Sequence, residues 1–261
     1  MKTFILSLLL FILSLFVFSL SIAQNSADAA VTQLTTTWDG LLKSYVNDEG
    51  KVNYQAWLDN DTDTVQAIVD ELAKTDPSAL STEQHQLAFW VNVYNILAIH
   101  EVLNRYPVDS IRPSFFLIPE RSFFTDEKHV VNGVSYSLDG IENEIIRAEF
   151  EEPLIHFGIV CASTSCPNLR NEAYTGEKVL VQLEQEARSF LADPTKNVLD
   201  GNSVQISKIF DWFKGDFTEP FGSVANFLIA YGPAGAIECE DMDCSSLNIS
   251  YQDYDWSLNR Q

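Results

Sequence analysis

Two cysteines five positions apart, Cys161 and Cys166, sit in the stretch "HFGIVCASTSCPNLR", residues 156–170. His156 stands before them and Arg170 after. Four readings fit this pattern. The pair could close a tight local disulfide, or bury as two inert thiols. It could contribute to a metal site, although C-x4-C is not the C-x2-C spacing usual for zinc and the histidines lie far apart in the sequence. Or Cys166 is a nucleophile, with His156 as its base and Arg170 supplying the positive charge that favours a thiolate. Cys239 and Cys244 repeat the five-residue step in "CEDMDC". A local disulfide is the first expectation there. The acids Glu238, Glu240, Asp241 and Asp243 leave a cation site or an acidic surface turn as alternatives, without the regular ligand spacing of a calcium loop.

A second group of polar residues lies in "QLAFWVNVYNILAIHEVLNRY", residues 86–106. Asn92 and Asn95 are three apart and share a helix face. Residues 87–99 are apolar on nearly every side, so the helix must be buried and its amides need partners. They either tie down neighbouring backbone or line a cleft. Tyr94 and Trp90 are expected to pack nearby. His85, His100 and His129 show no catalytic spacing.

The elements positioning these groups can be read in outline. Helical spacing runs over 28–47, through Val31, Leu34, Trp38, Leu41, Leu42 and Tyr45, and again over 55–73. A short strand is expected between them. Ser81 with Gln84 predicts a capping box for the buried helix, over Ser81–Tyr106, with Pro107 beyond it. Asn132-Gly133 predicts a type I′ hairpin, and Gly201-Asn202 a second one. A short helix follows the first hairpin, with Asp139 and Glu142 placed to cap its start. "LIHFGIV" reads as a buried strand, which would put His156 and Cys161 on opposite faces. Thr175 opens a helix with the stripe Leu180, Leu183, Ala187, Phe190 and Leu191. Two further helical stretches and a terminal strand complete an α+β reading. It is one globular domain with a central buried helix and short mixed strands and hairpins.

Five blocks, "AFWVNVYN", "SLDGIENEIIR", "HFGIVCASTSCPNLR", "ISKIFDWFKGDF" and "YDWSLN", occur in order over roughly residues 80–258. Together they resemble the DUF547 family, a domain family of unknown function. The resemblance implies a single globular domain, in bacteria often behind a signal peptide, and no settled reaction, substrate or cofactor. It marks Asn92, Tyr94, Asn95, Glu142, Arg147, His156, Ser165, Cys166, Pro167, Arg170, Trp212, Asp216 and Phe217 as motif positions. Many relatives carry histidine where this chain has Asn143, and plant relatives often read Ser-Ser-Pro where it has Ser165-Cys166-Pro167. A thiol at 166 is therefore not universal. A papain-like or transglutaminase-like fold would suit a Cys–His pair by analogy alone.

These readings converge on a division into 1–23 as signal peptide, 24–79 as an N-terminal helical segment packed on the domain, and 80–261 as the DUF547-like domain. If the domain is an enzyme, the expected chemistry is thiol-dependent acyl or peptide hydrolysis or transfer. Cys166 would be nucleophile and His156 base, with Glu142 or Asn92 orienting the histidine; Asn95, Tyr94, Ser165 and Arg170 would bind substrate. The rival is a non-catalytic module for a small molecule or peptide, with Phe115, Phe116, Phe123 and Phe124 as an apolar wall. No metal or cofactor is expected in either case.

Charge narrows the partners. Sixteen Lys and Arg face 37 Asp and Glu, for a formal charge of −21. So acidic a chain repels nucleic acid and anionic lipid. Lys2, an apolar run from Phe4 to Ile22, and Ser21-Ile22-Ala23 have the shape of a cleaved signal, which predicts export to a periplasmic or secreted, oxidising setting. An uncleaved anchor is the alternative; after cleavage no membrane association is expected. Mass spectrometry of the exported protein should find Gln24 as the first residue. Recovery of intact Met1–Gln261 from the membrane fraction would instead indicate the anchor.

Overall fold

A helix buried on every side has no amphipathic stripe to orient it, so its neighbours must surround it. The computed structural model describes residues 24, 26–112, 122–238, 244 and 246–261. In it, helix α4 (Glu83–Arg105) is such an element, with every residue from Leu87 to Ile99 buried. Helix α1 (26–45) precedes it, and the stretch expected as one helix over 55–73 is two, α2 (Tyr54–Asn60) and α3 (Thr62–Leu72), broken at Asp61. Asp61 uses its carboxylate to accept from the Tyr45 and Thr64 hydroxyls. The strand expected before α2 is only a pair of bridges, Val46 to Val52 and Val52 to Arg260.

The cap of α4 is one residue later than the sequence suggests. Thr82, not Ser81, accepts the His85 backbone N–H at 3.2 Å, and the His85 ring takes the place of the expected glutamine. Both predicted hairpins are present. Strands β1 (His129–Val131) and β2 (Val134–Tyr136) turn through Asn132 and Gly133, whose φ of 49° and 72° are those a type I′ turn requires. Strands β3 (Val198–Asp200) and β4 (Ser203–Ile206) form the second, and β5 (Asn248–Tyr251) adds to β4 in parallel.

Between the hairpins lies a helical run of mixed pitch. It comprises α6 (Leu138–Gly140), a π segment (Ile141–Ile146) and α7 (Arg147–Phe150); a single turn, α5 (Ser122–Thr125), precedes β1. Its cap is Ser137, whose hydroxyl oxygen accepts the Gly140 N–H at 2.9 Å, rather than Asp139 or Glu142. Widened π turns are frequent at functional sites, and this one carries Glu142.

"LIHFGIV" is not a strand. Ile155–Gly158 form a single helical turn, α8, and the chain becomes extended only at Ile159. An apolar run of seven residues cannot distinguish the two by pattern. The turn packs on helix α9 (Val179–Ala192), and a Cβ on Gly158 would lie 2.4 Å from Leu183 Cδ2. The α9 stripe includes Leu183, Ala187, Phe190 and Leu191 as expected, but Leu180 is exposed. Helices α10 (Ile209–Trp212), α11 (Lys214–Phe221) and α12 (Val224–Tyr231) follow.

Among the described residues, one hydrophobic cluster runs through α1 to α4, the π segment, α8 to α12 and the C-terminal Leu258, so the N-terminal helices share the core of the rest. No helix among them is long and apolar enough to cross a membrane. The signal segment, Phe115, Phe116, Cys239 and the acids Glu240, Asp241 and Asp243 lie outside the described residues; so does one end of the Cys239–Cys244 pairing.

Asn92 and Asn95 tie down backbone. Asn92 bonds both the carbonyl (2.8 Å) and the N–H (3.0 Å) of Tyr174. Asn95 donates to the Gly158 carbonyl and accepts from the Val160 N–H, both at 2.8 Å. Asn95→Leu strands two buried backbone groups and should lower unfolding stability by at least roughly 2 kcal/mol. Asn92→Leu should do the same at Tyr174. Urea denaturation with unchanged midpoints in both variants would contradict this role.

Candidate functional site

The residues leading from α8 to the second cysteine line one cavity of about 190 Å³. His156, Ile159, Cys161, Cys166 and Pro167 come from this segment, Tyr94 from α4, and Asp139 and Glu142 from the α6–π run. Phe124, Trp212, Phe213, Tyr254 and Trp256 supply its aromatic lining. Larger hollows exist elsewhere, such as one of about 370 Å³ between α1 and residues 172–178, but it contains no thiol and its polar groups include the surface pair Asp39–Lys43. The 190 Å³ cavity concentrates the groups that can do chemistry.

The two cysteines are free thiols, so the disulfide considered for this pair is not formed. They are held differently. Cys161 keeps some accessible surface, with Sγ 3.1 Å from Ser163 Oγ and 3.6 Å from Tyr254 Oη. Burial pushes its pKa up, but hydrogen bonds from Cys166, Ser163 and Tyr254 outweigh burial and bring it below that of a free thiol. Cys166 is 5% exposed and its Sγ accepts the Cys161 backbone N–H at 3.0 Å. Burial raises its pKa first, then the bond to Cys161 and the charge there. The pair thus shares a proton, with the negative charge favoured on Cys161.

His156 is fixed from behind. Its Nε2 is 2.7 Å from Asp216 Oδ2, and Arg147 grips the same carboxylate with two bonds of 2.6 and 2.7 Å. The ring stacks on Phe213 at 4.2 Å. Burial lowers the histidine's pKa despite the carboxylate, whereas for Asp216 the bonds from His156 and Arg147 overcome burial and hold it ionised. The imidazole is therefore neutral, with its Nε2 proton given to Asp216 and a lone pair left on Nδ1.

Glu142 is enclosed by protein although a little of its surface reaches the cavity. Burial first, then the charge on Cys161, push its carboxyl up to about 8, against the pull of Arg147 and the Tyr94 hydroxyl. At neutral pH it is mostly protonated. Two acidic groups, Glu142 and Cys161, compete for one negative charge in a low-dielectric space.

The structure brings Tyr94, Glu142, His156 and Cys166 together and leaves Asn92, Asn95, Ser165 and Arg170 outside the cavity. Asn92 holds Tyr174, not the histidine. Arg170 is taken up by Glu172 and Glu186, and the cation that reaches the loop is Lys196, whose Nζ donates to the Cys166 carbonyl at 2.7 Å. Ser165 accepts the Asp255 N–H at 2.8 Å, fixing the segment that carries Tyr254 and Trp256. Of the expected apolar wall, Phe124 lines the cavity and Phe123 lies in the core. No hydrogen bond joins His156 to either sulfur among the described contacts. Among the described residues no cluster of three or more metal-ligating side chains occurs.

The site-forming role of Arg147 and Asp216 was visible only as motif positions, and nothing in the sequence paired residues 69 apart. Trp212 and Tyr254, whose rings meet at 4.8 Å, likewise stood only in blocks of the resemblance, with no signal that they share one cavity.

Residues 77–191 match the family model described as "Protein of unknown function, DUF547", which supports the resemblance seen in the motifs. No curated protein and no solved structure matches the chain. The matched span contains Tyr94, Asp139, Glu142, His156 and both cysteines; Trp212, Asp216, Tyr254 and Trp256 lie beyond it.

The thiol assignment has a direct check. Alkylation by iodoacetamide should modify Cys161 before Cys166, with a half-maximal rate below the free-thiol value of about 8.5. Tyr254→Phe and Ser163→Ala each remove a donor to the sulfur, so each should move that midpoint upward. A midpoint unmoved in both variants would show that those hydroxyls do not stabilise the thiolate.

Proposed function

We propose that this chain is a thiol-dependent acyl or peptide hydrolase or transferase with Cys161, rather than Cys166, as nucleophile. The observation that carries the reading is the meeting, in one small cavity, of a donor-ringed sulfur, a neutral histidine fixed by a carboxylate, and a protonated buried acid. Each has a separate task. The Cys161 thiolate attacks the carbonyl carbon, and the Glu142 carboxyl gives its proton to the departing amine or alkoxide. His156 then takes a proton from water as the hydroxide adds to the thioester, Cys161 leaves as thiolate, and the proton returns to Glu142. A transferase would use an acceptor hydroxyl or amine in place of water. The Trp212, Tyr254 and Trp256 cluster suits an apolar or aromatic acyl group. A chain of charge −21 favours neutral or cationic substrates.

The same aromatic mouth supports the rival reading, a module that binds a small molecule or peptide without turning it over. An exported setting, with residues 1–23 removed, is proposed for either reading.

Incubation with p-nitrophenyl esters of increasing acyl length, followed by intact mass measurement, separates the two. The acyl reading expects a burst of nitrophenolate and an acyl group on Cys161. His156→Ala should slow deacylation by roughly 10²–10⁴-fold, so that the acyl-enzyme accumulates. Absence of burst and adduct across the series, in protein whose Cys161 alkylates normally, would reject it. Ester-dependent quenching of tryptophan fluorescence that persists in Cys161→Ala would then favour the binding module.

A further inference from the structure

Acyl chemistry needs one sulfur, yet the loop brings two to one cavity. The Cys166 Sγ accepts the Cys161 backbone N–H at 3.0 Å. Both line the cavity, Cys161 keeping more accessible surface than the buried Cys166. The four residues between them are clamped. Ala162 has a left-handed φ of 64°, and its carbonyl accepts the Asn259 N–H at 3.0 Å. Thr164 and Ser165 donate to the Ser257 and Asp255 carbonyls at 2.8 and 3.1 Å, and the Cys166 N–H closes a turn on the Ser163 carbonyl at 3.2 Å. A loop this restrained has little chain entropy left to lose when its ends are joined.

We infer that Cys161 and Cys166 form a redox-active dithiol, Cys161 attacking and Cys166 resolving, that exchanges two electrons with a small uncharged disulfide entering the aromatic-walled cavity. The Cys161 thiolate attacks one sulfur of R–S–S–R, forming Cys161–S–S–R and releasing RS⁻, which takes a proton from solvent. Cys166 then attacks Cys161 Sγ, its proton passing to the second departing RS⁻. The products are two RSH and the Cys161–Cys166 disulfide; the cysteine sulfurs are oxidised and the small disulfide is reduced. The surroundings favour the second step once the first has occurred. Mixed-disulfide formation removes the charge on Cys161 that disfavours ionisation of Cys166, while the Cys161 N–H stays in place to stabilise a Cys166 thiolate.

This goes beyond the acyl reading and holds without it. Where both hold, oxidation removes the acyl nucleophile, so the disulfide form is inactive toward esters. Small disulfides without charge are favoured because the chain itself carries −21.

Both cysteines fall on a single tryptic peptide, residues 148–170, separate from Cys239 and Cys244. Reduced full-length protein is treated with 2-hydroxyethyl disulfide, quenched with acid, alkylated and digested. The wild-type peptide should lose two hydrogens and carry no alkyl group or mercaptoethanol. Cys166→Ser should stop at the mixed disulfide on Cys161, and Cys161→Ser should react slower by about tenfold or more. The inference is overturned if the folded wild-type peptide keeps both thiols alkylatable, or keeps mercaptoethanol on Cys161 as long as Cys166→Ser does. The ester burst, measured before and after oxidation, keeps the two ideas apart. Closure of the dithiol in a protein that never acylates leaves the redox inference standing and rejects the acyl reading. Acylation in a protein whose dithiol never closes does the reverse.

Discussion

A single buried amide sets the position of the reactive loop. After Gly158 the chain leaves its helical turn and runs extended through the core without joining a sheet, so the Gly158 carbonyl and the Val160 N–H have no regular partner. An unpaired buried backbone group costs about 1–3 kcal/mol. Asn95 answers both, from the buried helix α4. The direction in which Cys161 emerges follows from that clamp. The loop beyond is fixed from the other side by the C-terminal tail, whose Asp255, Ser257 and Asn259 bond residues 162–165. The tail also reaches Asp109 through Leu258 and the N-terminal Val52 through Gln261, so three distant parts of the chain meet behind the sulfurs.

Within this frame the exposed Asp139 stands at the cavity beside the more enclosed Glu142 and Cys161. Glu142 and Cys161 lie in surroundings that tolerate one ionised group more easily than two. The hydroxyls of Ser163 and Tyr254 favour the sulfur, and the carboxyl keeps its proton up to about 8. Asp216 does not join the competition, because Arg147 neutralises it and His156 donates to it. The same carboxylate therefore orients the imidazole without placing net charge in the cavity. Phe213 sits against both partners, stacked on the His156 ring and beneath the Arg147 guanidinium at 4.9 Å.

Much of the frame was legible in the sequence, for local reasons. Continuous apolarity over 87–99 marks a central helix, and Asn132-Gly133 marks a type I′ turn because both residues tolerate positive φ. What failed was also local in cause. "LIHFGIV" fits a strand or a buried helical turn equally, and the wrong choice put His156 and Cys161 on opposing faces. The π segment was unreadable because it changes pitch without changing composition. Asn92 and Asn95 were recognised as needing partners, but their partners are backbone groups of residues 158–160 and 174, which no side-chain pattern announces. The choice between the sulfurs was out of reach for a similar reason. It depends on Tyr254, 93 residues beyond Cys161, and on a backbone N–H.

The serine that the family resemblance implies for some members in place of Cys166 bears on how the two sulfurs divide their work. A serine there could still receive the Cys161 N–H and give a proton to the Cys161 sulfur, so the acyl chemistry assigned to Cys161 would survive the exchange. The resolving step could not, because only sulfur closes a disulfide. In this chain both positions hold thiols, and the loop between them is clamped by the main-chain bonds of residues 162–165 and by the hydroxyls of Thr164 and Ser165. The restraint that favours ring closure is therefore indifferent to the residue at 166. The thiol there adds a redox capacity to a loop whose shape does not require it.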